Sequence, residues 1–202
     1  MKGAGGAFES AIQRSFPKDL YVRKLADPPA RSPRCRRCQG TMETKCGRCH
    51  QHDNNSARFT SKNPFDFEVS KPLQVGSFNL AIECKSTDKP SLPANYVKDH
   101  QVKGLKEAVT GGWAAGLLIE YRANARRRET EVWWVPITGW VEHFEQPGAK
   151  KSLNSEIVAS VAGAVRVQRS SRGRTRAYWE VGDLLEYLLS EARLAGDSGR
   201  VR

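Results

Sequence analysis

Pro64-Phe65-Asp66-Phe67-Glu68-Val69 and, a short way on, Asn79-Leu80-Ala81-Ile82-Glu83-Cys84-Lys85 are the stretches that decide this fold. Both alternate with the period of two that a β-strand imposes on its side chains. In the first, Phe65, Phe67 and Val69 fall on one face with Asp66 and Glu68 opposite; in the second, Leu80, Ile82 and Cys84 point inward while Ala81, Glu83 and Lys85 take the other side. Lys71-Pro72 and Gly76-Ser77 lie between, so strands over 65–69 and 78–85 are expected to pair as a hairpin. Glu83 and Lys85 then share a face. Asp66, seventeen residues before Glu83, can reach the same place from the neighbouring strand. Two converging carboxylates make a hard oxygen site suited to Mg²⁺ (or Mn²⁺), which binds few carboxylates and keeps its waters. Lys85 beside it could orient or help deprotonate an attacking water whose pKa the metal lowers. The pattern also has a plain reading, as acids and a lysine on the outward face of a half-exposed sheet.

Working outward, Phe8, Ile12 and Phe16 repeat at every fourth residue, the apolar stripe of a helix over 8–16. A helix over 95–110 ends at Gly111-Gly112. Strands are expected at 113–121 and 130–136, a short helix at 138–145, and a last helix at 183–194 carrying Leu184, Leu185, Leu188 and Leu189. Strands interleaved with helices give an α/β or α+β fold. Cys84 falls on the apolar parity and reads as a core thiol, and Trp113, Trp133, Trp134 and Trp140 as core or dimer surface.

The 202 residues carry 33 Lys+Arg against 22 Asp+Glu, a formal net charge of +11. Such a chain attracts polyanions, nucleic acid first among them. The longest nearly apolar run, Gly111 to Ile119, falls well short of the ~18 residues that span a bilayer. The Met-Lys-Gly-Ala-Gly-Gly start lacks the apolar run of a signal peptide. No membrane association is expected, and the setting is the interior of a bacterial cell, with either a bacterial or a phage gene.

Cys35-Arg-Arg-Cys38 and Cys46-Gly-Arg-Cys49 are two CxxC knuckles seven residues apart. Four thiolates on two such turns complete a tetrahedral Zn²⁺ site with no open position for substrate water, so the zinc is expected to be structural. His50 and His52 lie just beyond as alternative ligands. Arg31, Arg34, Arg36, Arg37, Lys45 and Arg48 surround the cysteines, against Glu43 alone. That charge suits a rigid loop pressed on phosphates.

Together, Gly6-x-Phe8-Glu9 on the first helix, Pro64-x-Asp66, and Glu83-Cys84-Lys85 followed by Ser86-Thr87 resemble the motifs of the RecU/Hjc type Holliday-junction resolvases. These belong to the PD-(D/E)xK, restriction-endonuclease-like nucleases. Ser91-Leu92-Pro93, His100-Gln101 and Leu105, Gly111-Gly112 before Gly116-Leu117-Leu118-Ile119, and Val135-Pro136-Ile137 with Trp140 and Phe144 continue the likeness through most of 3–145. Leu92 stands where the family usually has Phe, and the zinc knuckle occupies the interval where the RecU type carries its junction-gripping stalk.

The resemblance implies a restriction-endonuclease-like α/β core with a central mixed sheet flanked by helices, plus the small four-cysteine zinc knuckle. The chain is read as an N-terminal helix of the core (1–27), the knuckle insertion (28–58), the core with its active site (59–145), and a basic segment with a C-terminal helix (146–202). The resemblance further implies that Asp66, Glu83, the Cys84 backbone carbonyl and Glu9 hold Mg²⁺, that Lys85 serves the nucleophile, and that Gln101 holds the water or the scissile phosphate. Candidate DNA contacts are Ser86 and Thr87, the knuckle residues Arg34, Arg36, Arg37 and Arg48, and the basic stretches that include Lys150, Lys151, Arg169, Arg172 and Arg174.

The implied activity is Mg²⁺-dependent paired nicking of four-way DNA junctions by a symmetric homodimer. Its products would be nicked duplexes with 5′-phosphate and 3′-hydroxyl ends. Two other readings stay open: another PD-(D/E)xK nuclease, of restriction or repair exonuclease type, and a noncatalytic zinc-bearing DNA-binding protein.

Overall fold

The apolar parity of both halves of residues 77–87 makes this segment the centre of the sheet. In the computed structural model, which describes residues 4–25, 63–123, 129–148, 151–170 and 178–198, β3 (Ser77–Thr87) pairs on one side with β2 (Phe67–Pro72) and on the other with β5 (Ala114–Tyr121). The β2–β3 pair is the expected antiparallel hairpin, closed at Gly76, whose φ of 77° needs a residue without a Cβ. β3 and β5 run parallel, which requires a crossover. β4 (Ser91–Pro93), a 3₁₀ turn (Ala94–Tyr96) and α2 (Asp99–Thr110) provide it. The 95–110 helix therefore starts at Asp99, after Val97 and Lys98 have taken extended backbone angles.

The full sheet has the order β1-β2-β3-β5-β6-β8, with β1 at Tyr21–Lys24, β6 at Glu131–Pro136 and β8 at Val165–Val167. All pairs except β3–β5 are antiparallel, so the sheet is mixed, as expected. A separate two-stranded ribbon joins β4 to β7 (Ser152–Asn154) and buries Leu92. One sheet face is covered by α1 (Ala4–Ser15) and α4 (Val181–Ser198), through Phe8, Ile12, Leu184 and Leu185 packed on Phe67, Leu80, Ile82 and Trp134. The other face is covered by α2 and α3 (Ile137–Glu145), through Leu105, Ile137 and Trp140 on Ala81, Leu117 and Val135. Among the described residues no helix is long and apolar enough to cross a membrane.

One expectation is corrected. Phe65 does not share the face of Phe67 and Val69; it is buried in the opposite cluster, under α2. The cause is a bulge. The Asp66 amide donates to the Ile82 carbonyl at 2.9 Å, while Phe67 is the register partner of that same Ile82. Two residues facing one interrupt the alternation and re-aim the side chains before it. Gly104 of α2 makes room for this segment, since a Cβ there would stand 2.2 Å from the Cβ of Pro64.

Candidate active site

The parallel strands β3 and β5 open at their carboxyl ends, the side on which open α/β sheets bind ligands. β2 begins only at Phe67, so past Ile82 the edge of β3 has no strand beside it. The Cys84 amide, which would otherwise be orphaned, donates to Asp66 Oδ2 at 2.7 Å. The amide and carbonyl of one strand residue point to the same edge, so the Cys84 carbonyl faces the side on which Asp66 stands. The Cys84 thiol is buried in the core as expected, and burial pushes its pKa well above the usual thiol range.

Glu83 points to the α2 face and is 2% exposed. Its Oε1 accepts from Lys85 Nζ at 2.5 Å and from Gln101 Nε2 at 2.6 Å. Gln101 lies in the first turn of α2, and its Oε1 accepts from Lys85 Nζ at 3.1 Å and from the Lys98 amide at 3.0 Å. Those two donors fix which end of the amide faces the carboxylate. Gln101 thus ties the start of α2 to both Glu83 and Lys85.

The second oxygen of Glu83 is different. Oε2 is buried with no hydrogen-bond partner among the described residues. Burial, then the neighbouring charge of Asp66, pushes the Glu83 pKa up to about 7, with Lys85 pulling it back. An uncompensated carboxylate oxygen away from water is costly. A hard divalent cation between Glu83 Oε2, Asp66 and the Cys84 carbonyl would satisfy it, so the donor set fits Mg²⁺ or Mn²⁺.

Glu9 is placed differently from the acids it was grouped with. Its Oε2 accepts from Lys24 Nζ at 2.6 Å, although its charge still raises the Glu83 pKa. Among the described residues no three His, Cys, Asp or Glu side chains come together as a ready metal cluster. The Lys24–Glu9 pairing was not legible in the sequence, because the four-residue strand β1 shows no usable period.

Of the candidate DNA contacts, Ser86 donates to Glu120 Oε2 at 2.6 Å. Thr87 is 3% exposed, and its Oγ1 accepts the Lys89 amide at 3.0 Å. Lys151 and Arg169 are exposed, the latter beside a groove of about 350 Å³ shared with Arg166, Glu131 and Trp179. Cys35, Cys38, Cys46, Cys49, Arg34, Arg36, Arg37, Arg48, Lys150, Arg172 and Arg174 lie outside the described residues.

No protein-family model and no curated protein matches the chain. Among solved structures it is similar to Hjc of Archaeoglobus fulgidus, a Holliday junction resolvase from an archaeal hyperthermophile, with 17% identity and a TM-score of 0.31 over 48% of this chain and 70% of that one. That likeness is slight.

Proposed function

We propose that the protein is a divalent-metal-dependent DNA endonuclease of the restriction-endonuclease-like type, and that its substrate is the four-way junction. The observation that carries the metal-dependent reading is the buried, unpartnered Glu83 Oε2 beside Asp66, on a carboxylate whose other oxygen holds Lys85 and Gln101. Asp66, Glu83 and the Cys84 carbonyl would hold Mg²⁺. When bound, the ion supplies a water of lowered pKa and a counter-charge for the developing phosphorane. Lys85, held between Glu83 and Gln101, would meet the attacking water or a phosphate oxygen with its ammonium. Gln101 would keep Lys85 and Glu83 in register through the first turn of α2. The +11 net charge supports a polyanionic substrate.

The junction, the homodimer that would cut its two equivalent strands, and a structural Zn²⁺ on Cys35, Cys38, Cys46 and Cys49 rest on the sequence motifs. Comparing a four-way junction, a fork, a linear duplex and a single strand with Mg²⁺ and with EDTA tests the proposal. Mg²⁺-dependent cutting confined to the junction is expected. Equal cutting of the linear duplex would leave a general nuclease, and no cutting of any substrate would remove the enzymatic reading. Elemental analysis of protein purified without chelator should show about one zinc per chain.

A further inference from the structure

The chain between the end of β3 and the start of α2 carries an aromatic residue beside the site that the proposed reaction does not use. Tyr96 closes the 3₁₀ turn Ala94–Tyr96 and is 41% exposed. Its neighbours hold that turn in place. Leu92 and Val97 are buried on either side of it, the Ala94 amide donates to the Lys151 carbonyl at 3.0 Å, and the Val97 amide donates back to the Ala94 carbonyl at 3.1 Å. Two residues on, the Lys98 amide donates to Gln101 Oε1 at 3.0 Å, and Gln101 in turn reaches Glu83 and Lys85. Consecutive Cα atoms are about 3.8 Å apart, so the Tyr96 backbone lies within about 8 Å of that of Lys98. The ring is carried on a fixed turn beside the candidate site.

Single exposed apolar side chains are ordinary on a protein surface, and position separates this one from the rest. Leu73 and Val75 sit at the β2–β3 turn, at the other end of β3 from Glu83, and Tyr21 pairs with Ser70 toward that same end. Val109 lies where α2 runs on toward the start of β5, and Tyr187 is on α4, across the sheet from α2. The surround of Tyr96 is cationic. Lys89 before the turn, Lys98 after it and Lys151 bonded across from it are exposed, with the Lys98 ammonium on the Asn95 carbonyl at 3.0 Å. Against them stand Asp99 and Asp88, and Asp88 is paired with Arg122.

Resting on the junction-nuclease reading above, we propose that Tyr96 recognises branched DNA by stacking its ring on a base exposed at the branch point, while Lys98 and Lys151 hold the flanking phosphates. A base inside a continuous duplex has both faces covered by its neighbours and offers nothing to a ring fixed on the protein surface. Where arms meet, that stacking is interrupted and protein can cover a base face instead. Every base has such a face, so the contact selects branching without selecting sequence. Tyr96 thereby adds substrate choice to a metal site that would treat any backbone phosphate alike.

The test is the affinity of the full chain for a four-way junction and for a linear duplex of equal length, with Ca²⁺ replacing Mg²⁺ to withhold cleavage. It uses wild type, Tyr96→Phe, Tyr96→Leu and Tyr96→Ala, and a melting curve checks that each folds. Wild type should prefer the junction. Tyr96→Ala and Tyr96→Leu should bind the junction about tenfold more weakly, the scale of one lost base–aromatic stack, and the duplex within about twofold of wild type. Tyr96→Phe keeps the ring and should keep the preference. Wild type that prefers the junction while Tyr96→Ala or Tyr96→Leu prefers it equally overturns this inference alone. Losses equal on both DNAs, or a Tyr96→Phe variant as weak as Tyr96→Ala, overturn it too. Wild type that binds both DNAs alike overturns this inference together with the junction reading beneath it.

Discussion

Glu83 and Glu120 sit on neighbouring strands at the same end of the sheet, on opposite faces, and burial raises the pKa of both. Their surroundings separate them. Glu120 receives the Ser86 hydroxyl at 2.6 Å and is steadied by the charge of Arg122, itself paired with Asp88. Glu83 has a second carboxylate, Asp66, as its next largest influence, and one of its oxygens has no partner among the described residues. Burial of an acid therefore does not mark a site by itself. An acid whose burial is compensated by donors is architecture; one whose burial is aggravated by another acid is the one to test for a cation.

The largest expected effect breaks this comparison on activity. Asp66→Asn should lower Mg²⁺-dependent cleavage by about a thousandfold or more while junction binding persists, because the ion is lost but the basic surface is not. Lys85→Ala should likewise bind and fail to cut, and a Lys85 variant with wild-type turnover would reduce that lysine to packing.

The next effect is on stability. A raised folded-state pKa contributes stability that is full below the unfolded value and lost as pH rises through the folded one. For Glu83 the loss runs from 4.5 to about 7. In metal-free protein, the stability advantage of wild type over Glu83→Gln should therefore fall across that window, by up to about 3 kcal/mol, in denaturant titrations at several pH values. A flat difference would mean that the carboxylate is already compensated.

Gly104→Ala is expected to cost about 2 kcal/mol, because the new methyl meets the rigid Pro64 ring and must push α2 from the bulged segment. Activity should fall with it, since Gln101 rides on the same helix. Smallest of all, Glu120→Gln should change stability by less than about 1 kcal/mol and leave cleavage intact, as an amide oxygen can still accept from Ser86.

The hairpin, the faces of β3, the inward Cys84 and the meeting of Asp66, Glu83 and Lys85 were legible in the sequence because an eleven-residue strand shows its period many times over. β1, β4, β7 and β8 have three or four residues each and exist only through their partners, so no local pattern announces them. The bulge at Asp66 was hidden for a related reason. Alternation read from residues assumes one partner for each, and here Ile82 serves two. Pairings such as Ser86 with Glu120 and Lys24 with Glu9 are set by how strands and helices stack, and spacing along the chain does not encode them.

Whether Glu83 needs a cation is decided most directly by titrating Ca²⁺ or Mn²⁺ into wild type, Glu83→Gln and Glu120→Gln without DNA, near neutral pH. Wild type and Glu120→Gln should bind the ion alike, and Glu83→Gln should lose that binding. Glu83→Gln that keeps wild-type affinity would contradict the assignment of Asp66 and Glu83 as the metal site.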